Sequence, residues 1–277
     1  MGRSLWFALV LAASTLLAAT AEAAMVAYAD NRIAIDADGN FNDPDDWAAT
    51  PMTLAILAKA GLQDKVVHYT YSNSLGVNAN TPEMDAEMRG TTLRAMDRFG
   101  FNPAVFFDAQ TQLEEGIENL RNEIDKSTPT DRLFVLAVGP MEYLWRALVR
   151  ADPSRLPYVT VISHSTWNNT QVVAPEMVND WLDIQALGVE WIQIVDQNKR
   201  LYTRVPGTGY ERPSDWTPWR WLRDSPRWTM RWIYERMLAE EKADVSDAGT
   251  VWFLIKNDEF ATPEKLRRFF GSWAGPR

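Results

Sequence analysis

Residues 33–46 read IAIDADGNFNDPDD and join a short apolar run to a dense group of polar side chains. The apolar start predicts a buried strand, and the polar part, residues 36–46, holds five carboxylates and two amides within eleven positions. Crowding so much negative charge costs stability unless something neutralises it, because like charges repel at short range. Carboxylate oxygens are the preferred ligands of hard cations. The segment therefore predicts a calcium or magnesium site directly after the strand.

Helix capping is an alternative explanation for part of this charge. Asp43, Asp45 and Asp46 lie at the start of a helix predicted to begin near Asp46, and acids favour a helix N-terminus. Capping accounts for one or two acids, whereas the segment contains five. We therefore favour the metal interpretation.

Outward from this segment, short apolar runs alternate with longer amphipathic stretches. Strands are predicted at residues 32–36, 66–71, 104–107, 133–138, 158–163 and 189–195. The clearest helical stripe is formed by Leu113, Ile117, Leu120 and Ile124, and Met84, Met88, Ala95 and Phe99 form another. This alternation predicts an α/β fold with a doubly wound, mostly parallel sheet and helices on both faces. Such sheets bind ligands at the carboxyl ends of their strands.

The second half of the chain departs from this rhythm. Six prolines and glycines interrupt residues 201–228, which predicts a long irregular excursion at the edge of the sheet. A helix at 228–241, an acidic turn at 244–247 and a short helix at 263–270 are predicted to follow. We find no repeat and no linker, so residues 24–277 are expected to form a single domain.

The first 23 residues resemble a targeting signal. Arg3 precedes an apolar run at 5–19, and Ala21, Glu22 and Ala23 form a small-residue cleavage pattern. We expect a signal peptide at 1–23 and a periplasmic or secreted protein with no membrane association after its removal. An uncut N-terminal anchor is the alternative, although the run is shorter than the roughly 20 apolar residues of a spanning helix.

Composition narrows the chemistry. The formal net charge is −9 and no basic stretch stands out, so nucleic acid is not an expected partner. The chain has no cysteine and two histidines, which excludes thiolate catalysis, disulfides and zinc sites that need several soft or imidazole ligands. A bound metal is therefore expected to be a hard ion held by oxygen.

An EF-hand loop is one known pattern that the acidic segment partly matches. Asp36, Asp38 and Asn40 fit its first, third and fifth positions. The match fails because Phe41 stands in place of the required glycine and Trp47 in place of the terminal glutamate.

A haloacid dehalogenase-type phosphatase is another candidate. Residues 36–39 read DADG and resemble the D-x-D-G start of that class. No convincing downstream lysine or acidic motif completes the pattern, and the phosphatase interpretation stays open as a rival.

Three segments together resemble the nucleoside hydrolases of the inosine-uridine preferring superfamily. Asp36, Asp38, Asp45 and Asp46 are similar to the acids of the D-x-D-P-G-x-D-D segment of that family, with a loop three residues longer. Residues 136–142, LAVGPME, resemble A-L-G-P-L-T-N, and residues 246–248, SDA, stand where the family has H-D-A. The segments occur in the order of the family and span most of the chain.

The resemblance implies a Ca²⁺ site. Asp38 and Asp46 would be ligands, Glu142 would offer its backbone carbonyl, and Asp247 would complete the protein ligands.

It also implies catalytic and sugar-binding roles. Asp38 would take a proton from the attacking water, Asp45 would hydrogen-bond a sugar hydroxyl, and Asp36 would support the loop. The transition state would resemble an oxocarbenium ion, as in other glycosidic cleavage.

The chain departs from the family at its expected proton donor. Ser246 stands where the family has a histidine, and a serine hydroxyl is a poor general acid near neutral pH. Glu142 replaces a threonine, and the longer loop could reshape the floor of the pocket. His164, which follows a predicted strand, either supplies the proton or is a loop histidine bonded to backbone, and both interpretations stay open.

Further candidates follow from polar and aromatic positions near strand ends. We expect a structural role for His68 because its neighbours Val66 and Val67 are apolar. We expect Trp228 and Trp232 to form the buried face of a helix, and the roles of Trp216, Trp219 and Trp221 stay open. The candidate sugar-binding residues outside the acidic segment are Asn73, Trp167, Asn168 and Asn169.

The expected function is that of an exported, calcium-dependent glycosidase-like hydrolase. Its partner would be a small sugar, a nucleoside or an oligosaccharide, and the sequence does not indicate an oligomeric state. Two alternatives stay open: another carbohydrate-processing enzyme that acts on polysaccharide fragments, and a non-catalytic sugar-binding protein on the same scaffold.

Overall fold

A computed structural model describes residues 28–39, 46–73, 75, 81–173, 175–208, 212–273 and 275. Six strands form one sheet in which every neighbouring pair is parallel. They are β1 (Arg32–Ala37), β2 (Val66–Tyr71), β3 (Phe106–Asp108), β4 (Leu133–Val138), β5 (Val159–Ser163) and β6 (Glu190–Gln193). Their order across the sheet is β3-β2-β1-β4-β5-β6. The predicted doubly wound α/β fold is confirmed, whereas the proposed signal peptide at 1–23 lies outside the described residues.

Helices cover both faces of the sheet. In chain order they are α1 (Asp46–Ala60), α2 (Pro82–Phe99), α3 (Leu113–Asp125), α4 (Glu142–Leu148), α5 (Thr166–Thr170), α6 (Trp181–Ala186), α7 (Arg220–Arg223), α8 (Trp228–Ala239), α9 (Ala248–Lys256) and α10 (Pro263–Phe270). One apolar layer contains residues of α1, α2, α8, α9 and α10, and the other contains residues of α3, α4 and α6. Side chains alternate along β1, so that Ile33 and Ile35 join the first layer and Ala34 the second.

Most predicted elements agree with the structure to within a few residues. The strands at 66–71 and 133–138 have the predicted bounds, and the stripe on α3 is buried as expected. β3 begins two residues later than predicted because Pro103 opens a tight turn at Pro103–Val105. Helix α9 was not predicted. Most of its residues are buried, so it shows little of the amphipathic periodicity that marks a surface helix.

The site lies where the winding of the sheet reverses. β1 is flanked by β2 on one side and β4 on the other, so the chain leaves β1 and β4 in opposite directions and opens a crevice at their carboxyl ends. Gly139, just after β4, lies against the end of β1: a Cβ atom there would be 3.1 Å from the backbone nitrogen of Asp38. Glycine permits this close approach of the two strand ends.

Leu201, Trp219 and Leu222, from the described parts of the irregular excursion, belong to the first apolar layer. Trp219 is fully buried and donates a hydrogen bond to Thr203 Oγ1 at 2.8 Å, while Trp216 and Trp221 are partly buried. Of the two α8 tryptophans predicted to be buried, one is buried and the other is not. Trp232 is buried, but Trp228 is 50% exposed and lies under the guanidinium of Arg98. Within the described part of the chain, we find no helix long and apolar enough to cross a membrane.

His68 has the structural role expected of it. The ring is fully buried, stacks on Phe107, and places Nδ1 2.7 Å from Asn119 Oδ1 and Nε2 2.5 Å from Thr70 Oγ1. A neutral ring that donates from Nδ1 and accepts at Nε2 satisfies both contacts. Burial lowers the pKa of His68 to about 4, although the hydrogen bond with Asn119 acts in the opposite direction.

This shift predicts a loss of stability in mild acid. Above the unfolded value of 6.5 the ring is neutral in both states; as the pH falls, the unfolded chain gains a proton that the folded chain resists until about pH 4. The free energy of unfolding should fall across this window by on the order of 3 kcal/mol from this group. Chemical denaturation of the wild type and of His68→Gln at pH 7 and pH 4.5 measures it. The variant should be less stable than the wild type at pH 7 and should lose less of its free energy of unfolding on acidification. Equal losses of stability in the two proteins would contradict the assignment.

Candidate metal centre

Three carboxylates from distant parts of the chain meet at the crevice. Asp38 follows β1, Asp46 is the first residue of α1, and Asp247 immediately precedes α9. One carboxylate oxygen of each residue lies within 4.8 Å of the others, and all three side chains are buried. Asp38 and Asp247 are more than two hundred positions apart in the sequence, so the cluster is a product of the fold.

The charge of this cluster calls for a counter-ion. Asp46 and Asp247 lie at the N-termini of α1 and α9, and each helix terminus offsets roughly half an elementary charge. The two termini together therefore balance about one of the three negative charges. A divalent cation would balance the rest, and three carboxylate oxygens are a donor set of the kind that Ca²⁺ and Mg²⁺ prefer. The residues present thus fit a hard metal ion.

His164 holds the third carboxylate in place. Its Nε2 lies 2.7 Å from Asp247 Oδ1, and the backbone N–H of Gln197 donates to its Nδ1 at 3.3 Å. Because Nδ1 accepts a hydrogen bond, we assign the ring proton to Nε2, which donates to Asp247. This is the arrangement by which a neighbouring group orients a metal-binding side chain. The role of His164 as a proton donor stays a prediction.

Asp36 and Asn73 tie three strand ends together beneath the cluster. Asn73 Nδ2 donates to Asp36 Oδ1 at 2.9 Å and to Pro140 O at 3.0 Å, so Asn73 bridges the ends of β1, β2 and β4. Burial, together with the nearby charge of Asp38, raises the pKa of Asp36 well above its ordinary value, and the bond from Asn73 only partly opposes this. The raised pKa favours the protonated form of Asp36, which lowers the repulsion around Asp38.

Glu142 takes part in a different set of contacts through its side chain. Its carboxylate accepts hydrogen bonds from Arg146, from Asn179 and from the backbone N–H of Val178. Burial acts to raise the pKa of Glu142, but these bonds outweigh it and hold the pKa below the usual range. The carboxylate lies outside the Asp38, Asp46 and Asp247 group. The role proposed for its backbone carbonyl stays a prediction.

The residues predicted to bind a sugar differ in burial and in their hydrogen-bond partners. Asn73 is buried in the bridge just described, and Asp45 lies outside the described residues. Both ends of the Asn169 amide are engaged, because Oδ1 accepts from Ser163 Oγ at 2.5 Å and Nδ2 donates to Gln193 Oε1 at 2.6 Å. Trp167 is 42% exposed and Asn168 is buried. Of Trp167, Asn168 and Asn169, Trp167 therefore has the side chain most accessible to a sugar.

A cleft opens beside His164 at the carboxyl ends of β5 and β6. Its volume is about 380 Å³, and His164, Asn169, Trp181 and Asp196 are among its lining residues. Ligand-binding clefts of this size are common in proteins, and an aromatic wall with a few polar groups suits a sugar ring. The cleft is next to the carboxylate cluster through His164, which lines the cleft and contacts Asp247.

Two residues with unusual environments, Glu240 and Ser72, were not predicted from the sequence. Glu240 is buried with Oε2 accepting from the backbone N–H of Ala48, and burial with the nearby charge of Asp244 raises its pKa well above the ordinary value. Ser72, directly after β2, has a φ of 57°, an uncommon conformation for a residue with a side chain. Neither has a sequence signal, because burial of Glu240 and strain at Ser72 arise only from the tertiary arrangement.

The fold and the site define a doubly wound α/β protein with a buried triad of carboxylates at its switch point. Comparisons with known protein families and with solved structures find no match. The chain is 31% identical over 240 residues to the uncharacterized protein P22 of Formosa agariphila, across 81% of this chain and 83% of that protein. It belongs to the same family as that protein.

Calcium should stabilise the fold through this centre. At a free concentration about a hundred times the dissociation constant, binding adds about 2.7 kcal/mol to the free energy of unfolding. We expect thermal denaturation to show a rise of several degrees in Tm for the wild type and little rise for Asp247→Asn. Asp64→Asn, the same change at an exposed site, is the matched control and should behave as the wild type. A calcium-dependent rise that persists in Asp247→Asn would detach this residue from the site.

Removal of His164 should weaken calcium binding without removing a ligand. In His164→Ala, Asp247 loses the hydrogen bond that orients it, and the dissociation constant measured by calorimetry should rise about tenfold to a hundredfold. The far-ultraviolet circular dichroism spectrum checks that the variant is folded. Unchanged calcium affinity in the folded variant would exclude the positioning role.

Proposed function

We propose that the protein is a calcium-dependent hydrolase of glycosidic bonds, with a small sugar-containing molecule such as a nucleoside or an oligosaccharide as substrate. The observation that carries this proposal is the convergence of Asp38, Asp46 and Asp247 at the switch point. The three segments that resemble nucleoside hydrolases also meet here, because Gly139 lies against Asp38. Export, with residues 1–23 as signal peptide, is part of the proposal and rests on the sequence pattern alone.

The chain's own residues supply the remaining parts of the reaction. Bound calcium would lower the pKa of water and neutralise the carboxylates. Asp38 accepts a proton from the attacking water, and the raised pKa of Asp36 favours its protonated form, which adds little repulsion beside Asp38. The cleft beside His164 would hold the sugar, with Trp181 forming part of its wall. Cleavage then proceeds through an oxocarbenium-like transition state.

Departure of the leaving group sets the substrate preference. The Nε2–H of His164 already donates a hydrogen bond to Asp247, and the Ser246 hydroxyl donates to Asn198 Oδ1 at 3.3 Å. A leaving group that is stable without immediate protonation therefore suits this site best. Aryl glycosides should be cleaved faster than alkyl glycosides of the same sugar.

A non-catalytic sugar-binding protein is the second candidate. The hydrogen bond between His164 and Asp247 favours this candidate. The bond keeps a metal ligand in place, but it also occupies the side chain that would otherwise be the obvious proton donor. The phosphatase alternative is weaker. Its nucleophile would be Asp36, a buried carboxyl group whose raised pKa favours the protonated form, and that form is a poor nucleophile.

Turnover should depend on Asp38. In a screen of nucleosides and p-nitrophenyl glycosides with calcium present, the wild type should release sugar and Asp38→Asn should lower kcat about a hundredfold or more. Asp64→Asn is again the matched control. Calorimetry with calcium on the same samples separates loss of the base from loss of the metal.

The other outcomes of this screen identify the alternatives. Sugar binding without turnover of any glycoside would favour the binding protein. Release of phosphate from phosphate esters, dependent on Asp36 and indifferent to Asp247, would favour the phosphatase.

A further inference from the structure

Gln197 is a fully buried polar residue with no part in the proposed reaction. It lies after β6, and its backbone N–H donates to His164 Nδ1 at 3.3 Å. Its side-chain Nε2 donates to the carbonyl oxygens of Val195 and Glu259 at 2.7 and 2.9 Å. Gln197 therefore joins the end of β6 to the segment after α9 and to the histidine that contacts Asp247.

Stability alone does not explain a glutamine at this position. Oε1 of Gln197 is buried and has no hydrogen-bond partner among the described residues. A buried amide oxygen without a partner costs free energy, which an apolar side chain of similar shape would avoid. The two bonds from Nε2, by contrast, require a donor. The side chain is therefore best explained by the groups that it holds together.

Gly249, near the start of α9, makes room for this side chain. A Cβ atom at Gly249 would lie 2.6 Å from Cδ of Gln197 and closer still to Oε1. The φ of Gly249 lies outside the left-handed region, so its backbone does not require glycine, and alanine is the better helix former. The close approach of Gln197 explains the glycine. Because Gly249 comes two residues after Asp247, this contact sets the spacing between the start of α9 and the loop after β6.

The contacts form one path that ends at a predicted metal ligand. The N–H of Gln197 holds Nδ1 of His164, and Nε2 on the other side of the ring lies 2.7 Å from Asp247 Oδ1. A hydrogen bond at one ring nitrogen of a histidine fixes the tautomer and the direction in which the other nitrogen points. A displacement of Gln197 would therefore change the hydrogen bond that orients Asp247.

We propose that Gln197 is a positioning residue of the metal centre: packed against Gly249, its side chain fixes the backbone N–H that holds His164, and His164 orients Asp247. The proposal rests on the proposed function for the identity of the ion, whereas the contacts that it names belong to the chain alone. Changes at Gln197 or Gly249 should therefore reach the metal centre through His164.

The ring nitrogens of His164 test this arrangement in the absence of metal. The chain has two histidines, and their contacts predict opposite neutral tautomers, with the proton on Nε2 in His164 and on Nδ1 in His68. Proton–nitrogen correlation spectra of the calcium-free wild type should show one of each. In Gly249→Ala the ring signals of His164 should shift while those of His68 stay unchanged. The matched control is Gly90→Ala on α2, where a Cβ atom would meet nothing within 4 Å, and both histidines should be unchanged in it.

A second variant removes the contacts without adding a clash. Gln197→Met keeps the length of the side chain and loses both bonds from Nε2, so the ring signals of His164 should shift in this variant too. Calcium affinity should follow the spectra. The dissociation constant measured by calorimetry should rise about tenfold or more in Gly249→Ala and in Gln197→Met, and should be unchanged in Gly90→Ala. Circular dichroism checks that each variant is folded.

The outcomes separate the positioning role from the proposed function. Unchanged His164 signals in the folded variants, or equal shifts in Gly249→Ala and Gly90→Ala, would overturn the proposal. Shifted His164 signals with unchanged calcium affinity would overturn it as well. Absence of calcium binding from the wild type would refute the proposed function, and the spectra would still decide whether Gln197 positions His164.

Discussion

Mutual repulsion among three buried carboxylates is the physical constraint on which the rest of this structure depends. Asp38, Asp46 and Asp247 lie too close together, and too far from water, to carry their charges without compensation. Two helix termini supply part of it, and the neighbouring acids Asp36 and Glu240 have raised pKa values and add little charge. The remaining deficit is what a divalent cation would fill. Of these three side chains, Asp247 is held in place by the hydrogen bond from His164.

The doubly wound topology makes this arrangement possible. The reversal of winding between β1 and β4 opens a crevice, the glycine after β4 lets the two strand ends approach, and the Asn73 bridge ties in β2. α9 brings Asp247 from the other end of the chain, and His164 at the end of β5 orients it. Gln197 and Asn198, which follow β6, contact His164 and Ser246 and so brace the residues around Asp247.

The sequence predicted the fold well because strands and amphipathic helices carry local periodic signals. It also indicated Asp38 and Asp46, because the acidic segment after a buried strand is locally unusual, whereas Asp247 was indicated only by the resemblance of residues 246–248 to the H-D-A segment of nucleoside hydrolases. It missed α9, because a buried helix shows little amphipathic periodicity, and it misjudged the exposure of Trp228, which depends on Arg98 from a different helix. The contact between His164 and Asp247 spans 83 positions and has no local signature.

A crystal structure of the protein grown with calcium tests the central claim most directly. The account predicts one ion in contact with carboxylate oxygens of Asp38, Asp46 and Asp247 at about 2.3–2.6 Å, with His164 still bonded to Asp247. Density without an ion between these carboxylates at saturating calcium, or an ion bound elsewhere on the chain, would contradict it.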